Sequence, residues 1–171
     1  MQDNKDNTNS HEPENSHEPL SIKREPLTPN HENGKDSDGG IFITKSLKVI
    51  VIDDSKTIRQ AATTLLKKTG YDVITATDGF NALAKIAEFK PDIIFVDIMM
   101  PRLDGYQTCA LIKNNQKFKH IPVIMMSSKA GVFDRAKGRL AGSDCHLIKP
   151  FSRDELLGTI QNHCPRLARA I

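Results

Sequence analysis

The chain has 171 residues, carries 24 Lys and Arg against 21 Asp and Glu, and has a formal net charge of +3 at pH 7. No stretch approaches the ~20 apolar residues that a membrane-spanning helix needs, so we expect no membrane insertion. The three cysteines have no CxxC spacing and are odd in number, which fits reduced thiols in a cytoplasmic protein and not a disulfide framework.

Residues 1–45 differ in composition from the rest of the chain. They contain no apolar run longer than Ile41-Phe42-Ile43, hold four of the nine prolines, and carry five Lys and Arg against nine Asp and Glu. Such a segment buries too little apolar surface to offset the entropy lost on ordering it. We therefore predict a disordered low-complexity N-terminal tail over residues 1–45.

The remaining 126 residues have the usual size of a domain with one hydrophobic core, and they carry seven excess positive charges. A basic domain raises the question of nucleic-acid binding. However, the basic residues are spread over all the predicted helices, and no zinc finger or aromatic stacking pair accompanies them. We expect no direct DNA binding.

From residue 47 onward, short apolar runs alternate with segments whose apolar residues recur at helical spacing. Ser55 caps the first predicted helix, Gly70 follows its end, and Ser152 with Glu155 forms a capping box for the last. The predicted strands are residues 48–52, 72–76, 93–96, 123–126 and 145–148. The predicted helices lie between Ser55 and Gly70 and over residues 79–89, 105–115 and 130–140, and a last helix follows its Ser152 cap and reaches about residue 163.

Strands that are apolar on both faces and alternate with helices predict an α/β fold with a parallel sheet covered on each side. We predict a doubly wound five-stranded sheet of order 2-1-3-4-5, with right-handed crossovers. In such sheets ligands bind beyond the carboxyl ends of the strands, at the switch point between the first and third strands. The domain is predicted over residues 46–164, which leaves residues 165–171 as a short C-terminal stub.

Polar residues follow the predicted strands at this same edge. Asp53 and Asp54 follow the first strand, Asp97 the third, Ser127 the fourth and Lys149 the fifth. Each alone is read as a turn residue, a helix cap or a solvated charge, but together they predict a site for a divalent cation and a phosphoryl group. Carboxylate oxygens suit Mg²⁺, and no His or Cys is placed to join them, which argues against zinc. Without a counter-ion, three neighbouring carboxylates should include one with a raised pKa.

A carboxylate is also a nucleophile that accepts a phosphoryl group. Asp97 stands alone at its strand end, and we predict it as the phosphoacceptor, with Lys149 and Ser127 holding phosphoryl oxygens. The predicted metal ligands are Asp97 itself, Asp54, Asp53 directly or through water, and the backbone carbonyl of Met99.

Four segments that contain these residues resemble the receiver domain of bacterial two-component response regulators: residues 51–55, 96–105, 126–129 and 149–151. Separations of 43, 30 and 22 residues between Asp54, Asp97, Ser127 and Lys149 fit that family's pattern. The resemblance covers about residues 47–163. It implies a flavodoxin-like (βα)5 receiver fold, Mg²⁺-dependent phosphotransfer from a histidine kinase to Asp97, a hydroxyl switch at Ser127 and a cis peptide before Pro150.

One position departs from the family pattern. Three residues before the lysine the family commonly has Tyr or Phe, whereas this chain has His146. Two interpretations stay open. His146 is a smaller switch residue whose charge matters near neutral pH, or it is a half-buried strand histidine with a satisfied hydrogen bond.

Longer stretches, including residues 47–79 and 97–115, are similar to single-domain regulators of type IV pilus twitching motility. This resemblance implies the sensor histidine kinase of a chemosensory system as phosphodonor, and pilus-control or polar scaffold proteins as partners. Only 22 residues follow Lys149, too few for an attached effector domain. We expect the signal to leave through the fourth helix, the His146 strand and the last helix, and a phosphorylation-dependent dimer stays open.

Three competing functions are less consistent with the sequence. An Asp-dependent phosphatase typically needs a DxD motif after the first strand, whereas here the pair is adjacent and the lone Asp follows the third strand. A flavin-binding module would need a phosphate-cradling loop after the first strand, and a DNA-binding regulator would need an effector domain. We expect a signalling protein and not an enzyme, apart from phosphotransfer to itself and slow dephosphorylation.

Overall fold

The computed structural model describes residues 46–128 and 131–165, without the side chains of residues 132 and 133. The predicted disordered tail and all of the predicted stub beyond residue 165 lie outside these residues. Five strands alternate with five helices in the order β1 (Lys48–Ile52), α1 (Lys56–Lys68), β2 (Asp72–Ala76), α2 (Gly79–Phe89), β3 (Ile93–Asp97), α3 (Gly105–Asn114), β4 (Val123–Ser127), α4 (Val132–Leu140), β5 (Cys145–Ile148) and α5 (Arg153–His163).

All strand pairs are parallel, and the strand order is β2-β1-β3-β4-β5. This confirms the predicted doubly wound α/β fold. The strands β3 and β4 are buried along their whole length, whereas β2, at one edge of the sheet, has one exposed and two partly buried residues. One core layer lies between the sheet and α1 and α5, and the other lies between the sheet and α2 and α3.

The helix ends follow from local hydrogen bonding. The Ser55 side chain caps α1, and Gly70 follows this helix with φ +87°. Ser152 and Glu155 form the predicted capping box of α5. Two caps escaped the sequence analysis: Asp78 caps α2 and Asp104 forms a capping box with Gln107 at α3. In each case a side-chain oxygen accepts an amide hydrogen that the first turn of a helix leaves unpaired.

The observed ends differ from the predicted ones in four places. Pairing of Asp97 with Met126 and of Ser127 with Ile148 extends β3 and β4 by one residue each. The helix α3 ends one residue early, and α4 begins at Val132 and not at 130. The peptide bond between Lys149 and Pro150 is cis, as the resemblance implied. Among the described residues, no helix has the length and apolar character needed to cross a lipid bilayer.

Candidate functional site

The strand register brings the predicted site residues to the carboxyl edge of the sheet. Asp53 directly follows β1, and Asp97 is the last residue of the neighbouring β3. Ser127 ends β4, and its register partner Ile148 immediately precedes Lys149. Because parallel strands present the same ends to one edge, residues nearly a hundred positions apart meet there.

Three carboxylates and one ammonium group form the centre of this cluster. Ligand oxygens of Asp53, Asp54 and Asp97 lie within 4.8 Å of one another. The Lys149 ammonium donates to Asp53 Oδ2 at 2.8 Å and lies 2.7 Å from Asp97 Oδ1. Asp53 and Asp97 are buried, whereas Asp54 is exposed. The cluster is therefore accessible to solvent from the side of Asp54, while Lys149 closes its inner side.

The electrostatics of the cluster are dominated by burial and by the contacts of Lys149 with the carboxylates. Burial raises the pKa of Asp97 above its usual value, and the charges of Asp53 and Asp54 act in the same direction. The hydrogen bond and positive charge of Lys149 oppose this rise and do not cancel it. Burial acts to lower the pKa of Lys149, but its contacts with Asp53 and Asp97 outweigh burial and raise that pKa. The predicted raised carboxyl pKa is thus found at Asp97.

The loop after β1 is held by two further contacts. Asp53 Oδ1 accepts a hydrogen bond from the Ser55 backbone amide at 2.8 Å, so this residue is a turn residue as well as a member of the cluster. Arg59 Nη1 donates to the carbonyl oxygens of Asp53 at 2.7 Å and Asp54 at 2.9 Å. Arg59 could not be predicted as part of this loop, because a single arginine in the first turns of a helix carries no distinguishing sequence pattern.

The loop after β3 is shaped by Gly105. A Cβ atom at this position would lie 2.2 Å from the Asp97 carbonyl oxygen and 2.8 Å from Ile98 Cα. The Gly105 amide donates to the Ile98 carbonyl oxygen at 3.0 Å. The start of α3 therefore approaches the backbone of Asp97 more closely than any residue with a side chain allows.

Gly105→Ala is expected to destabilise the domain by about 2 kcal/mol, because the backbone of Asp97 must shift to admit the methyl group. The same shift displaces Asp97 and should slow its predicted phosphorylation roughly 10-fold to 100-fold. Chemical unfolding and phosphorylation rates would measure both effects. Gly158→Ala in α5 is the control, since a Cβ atom there meets nothing within 4 Å and should stabilise the helix slightly. Equal behaviour of the two variants would contradict the steric argument.

Met99 and Ser127 occupy the positions that the sequence analysis expected. Met99 lies in the loop after β3 with its side chain 79% exposed, and it lines a groove with Asp54, Tyr106 and Lys137. The Ser127 side chain is buried at the end of β4, and its carbonyl oxygen accepts from the Lys149 amide at 2.7 Å. Their roles toward a metal or a phosphoryl group stay predictions.

His146 is half-buried under α4, and its Nε2 atom is buried without a hydrogen-bond partner among the described residues. Its half-burial in β5 agrees with both interpretations, and the unpaired Nε2 atom is a feature that neither of them predicted. Burial lowers the pKa of His146, Asp134 acts to raise it, and Arg135 and Arg139 lower it further. The role of His146 as a switch residue stays a prediction.

The comparisons with known proteins agree with this geometry. Residues 49–161 match the family model of the response regulator receiver domain. The chain is 74% identical over 119 residues to protein PilG of Pseudomonas aeruginosa, which covers 70% of this chain and 88% of that protein. It spans about half the length of several transcriptional regulators that it also matches.

Solved structures give the same result. The chemotaxis protein CheY4 of Vibrio cholerae superposes with a TM-score of 0.67 at 33% identity, covering 69% of this chain and 98% of that one. The receiver domain of sensor histidine kinase PA1611 of Pseudomonas aeruginosa, with a magnesium ion coordinated in its active site cleft, gives 0.64 at 27% identity, covering 69% and 97%. Sequence, strand order and the acidic edge of the sheet together show that this chain belongs to the response regulator receiver domain family.

Proposed function

We propose that the chain is the phosphoacceptor of a two-component system and that it takes a phosphoryl group from a histidine kinase onto Asp97. The observation that carries this proposal is the Lys149 ammonium, which contacts Asp53 and Asp97 at once beside the exposed Asp54. A buried carboxylate with a nearby cation and an open side has the parts that phosphoryl transfer requires.

In the proposed transfer, one Asp97 carboxylate oxygen attacks the phosphorus atom of a phosphohistidine. A new O–P bond forms as the P–N bond breaks, and the electron pair leaves with the imidazole nitrogen. Lys149 neutralises charge on a phosphoryl oxygen, and the Ser127 hydroxyl donates to another. Water later attacks the phosphorus atom, which regenerates the carboxylate and releases inorganic phosphate. The chain is thus a signalling protein whose only chemistry is on itself.

The donor set fits a hard divalent cation. Asp53, Asp54 and Asp97 offer only carboxylate oxygens, which Mg²⁺ prefers, and no His or Cys among the described residues joins this group. We infer that these three residues and the backbone carbonyl of Met99 hold Mg²⁺, which would neutralise charge on the phosphoryl oxygens. The magnesium ion in the receiver domain of PA1611 supports the assignment.

The direct test is phosphorylation of the full chain by acetyl phosphate, followed by intact-mass analysis and peptide mapping. We expect a single hydroxylamine-sensitive phosphoryl group on the peptide that contains Asp97, and none when EDTA removes divalent cations. A phosphoryl group on a serine or histidine, or one that forms equally well in EDTA, would contradict the proposal.

We further propose that the signal leaves by protein contact through α4, β5 and α5, in the cytoplasm and without direct DNA binding. The 74% identity to PilG supports control of type IV pili and twitching motility, with a chemosensory kinase as donor and pilus-control or polar scaffold proteins as targets. Phosphorylation-dependent dimerisation through the same surface is part of this proposal.

Phosphorylation is expected to change hydrogen exchange at the backbone amides of α4, β5 and α5, because a shift in population between two packings alters local opening. Exchange followed by mass spectrometry on the phosphorylated and unphosphorylated chain would measure this. The amides of Val49, Ile50 and Val51 in β1 serve as an internal control in the buried centre of the sheet. Identical exchange in α4, β5 and α5 in both forms would rule this surface out as the output.

A further inference from the structure

A groove lies between α1 and the outer side of β2, which is an edge strand of the sheet. Its volume is about 770 Å³. It is lined by residues of α1, β2 and α2, among them Lys56, Arg59, Lys67, Val73, Thr75 and Lys85. The lining contains four cations and no carboxylate, so the groove is electrostatically matched to an anionic ligand.

The cations are concentrated on one helix. Over its 13 residues α1 has four basic residues and no acidic ones: Lys56, Arg59, Lys67 and Lys68. Basic residues do occur on the other helices as well, but α1 is the helix whose cations line the groove without any neighbouring acidic residue on the same helix. Lys56 and Lys67 are eleven residues apart, which is close to three full helical turns, so both lie on the side of the groove. Both are exposed.

The edge of β2 offers unpaired backbone groups. The Asp72 amide and the Ala76 carbonyl oxygen bond toward β1, to Leu47 and Asp53 respectively. In a parallel strand the backbone groups of alternate residues point to opposite sides, so those of Val73 and Thr75 point into the groove. Lys85 Nζ confirms this direction, because it donates to the Thr75 carbonyl oxygen at 2.7 Å. No second strand pairs with this edge within residues 46–128 and 131–165.

We propose that this groove docks an extended, acidic segment of a partner protein, which adds a short strand beside β2. The backbone of Val73 and the amide of Thr75 would pair with the segment, as in other cases of strand addition at a sheet edge. Lys56 and Lys67 lie roughly 16 Å apart along α1, the length of about five extended residues. The structure therefore selects a segment with two carboxylates about five residues apart.

Charge and backbone both argue for this occupant. A helical acidic segment would pair with the cations but leave the β2 backbone groups without hydrogen bonds. An uncharged strand would bond to the β2 backbone but leave the cations unpaired. Lysines at a sheet edge also discourage unwanted strand pairing, and Lys85 fills that role at Thr75. Lys56 and Lys67, in contrast, stand on the helix that faces the edge, where they attract an incoming acidic strand.

The test is a titration of the full isotope-labelled chain, followed by backbone amide shifts. The probe is a synthetic six-residue peptide with aspartates at both ends of an alternating threonine-valine core, and the matched control peptide carries asparagines instead. We expect shifts at Val73 and Thr75, and about tenfold weaker binding of the asparagine peptide. A Lys56→Glu/Lys67→Glu variant should bind the aspartate peptide more weakly by a similar factor. A Lys119→Glu variant, changed at an exposed lysine outside the groove, should bind it as wild type does.

Four outcomes would overturn the proposal. Amide shifts that lie away from β2 would show that the peptide does not bind at the strand edge. Equal binding of both peptides would show that the carboxylates do not contribute to affinity. Inorganic polyphosphate that produces the same amide shifts would show a general anion surface and no strand addition. Concentration-dependent self-association that shifts Val73 and Thr75 without any peptide would make a second copy the occupant.

Discussion

Replacing Asp97 with asparagine is expected to abolish phosphorylation, with a loss of roughly 1,000-fold or more in rate. The amide has no charge and is a far weaker nucleophile than the carboxylate, so an O–P bond does not form at a useful rate. The residue sits at the end of β3, where it contacts Lys149 and faces Asp53 and Asp54. No other described carboxylate combines burial with a direct contact to that lysine, apart from Asp53 itself.

Acetyl phosphate labelling of wild type and variant, quantified by intact mass, measures the effect. Asp72→Asn is the matched control, because Asp72 is exposed at the opposite end of β2 and takes no part in the cluster. Phosphorylation of the Asp97→Asn variant at the wild-type rate would refute the assignment. Loss of phosphorylation in both variants would point to damage of the fold and not to the nucleophile.

The Asp97→Asn substitution, which abolishes phosphorylation, is expected not to lower the stability of the fold. The pKa of Asp97 is raised in the folded chain, so ionised Asp97 destabilises the fold at neutral pH, and stability rises as pH falls through the folded pKa. An asparagine removes that charge. In Mg²⁺-free buffer at pH 7, we therefore expect the free energy of unfolding of Asp97→Asn to equal or exceed that of wild type, with a smaller gain on acidification.

Sequence pattern was sufficient for the parts of the fold that depend on local rules. Apolar runs and helical spacing located all five strands, and the rule for parallel sheets brought Asp53, Asp54, Asp97 and Lys149 to one edge. The observed contacts of Lys149 with two of these carboxylates follow directly from that placement. A charged residue at the end of a predicted strand can thus be placed at the carboxyl edge of the sheet, because the alternation of buried strands and helices makes all strands run in the same direction.

Features that depend on long-range packing were not predictable in this way. A Cβ atom at Gly138 in α4 would lie 2.4 Å from Cε1 of the His146 ring. The glycine therefore lets α4 pack closely over the histidine ring, whose buried Nε2 atom has no hydrogen-bond partner among the described residues. Arg102 adopts φ +69° and its guanidinium pairs with Asp78, a contact between two loops that no spacing in the sequence announces.

Lys149→Met is expected to have the largest effect on stability, a loss of about 3 kcal/mol in the absence of divalent cations. The substitution removes the ammonium group that contacts both Asp53 and Asp97. It leaves the fully buried carboxylate of Asp53 without this ion pair. Because the pKa of Lys149 is raised in the fold, its contribution is complete below the unfolded-state pKa and is lost only as pH rises through the folded one. Urea unfolding at pH 7 in EDTA therefore measures its full value.

Excess Mg²⁺ should restore part of this loss, since a cation bound to the folded state alone stabilises it by mass action and replaces the missing charge. The stabilisation by Mg²⁺ is expected to be larger for Lys149→Met than for wild type, because the competing ammonium group is gone. Lys119→Met, on an exposed lysine far from the carboxylates, should unfold as wild type does with and without the metal. If Lys149→Met unfolds at the wild-type midpoint in EDTA, then the carboxylate cluster does not depend on the lysine, and the charge balance proposed for phosphoryl transfer is incorrect.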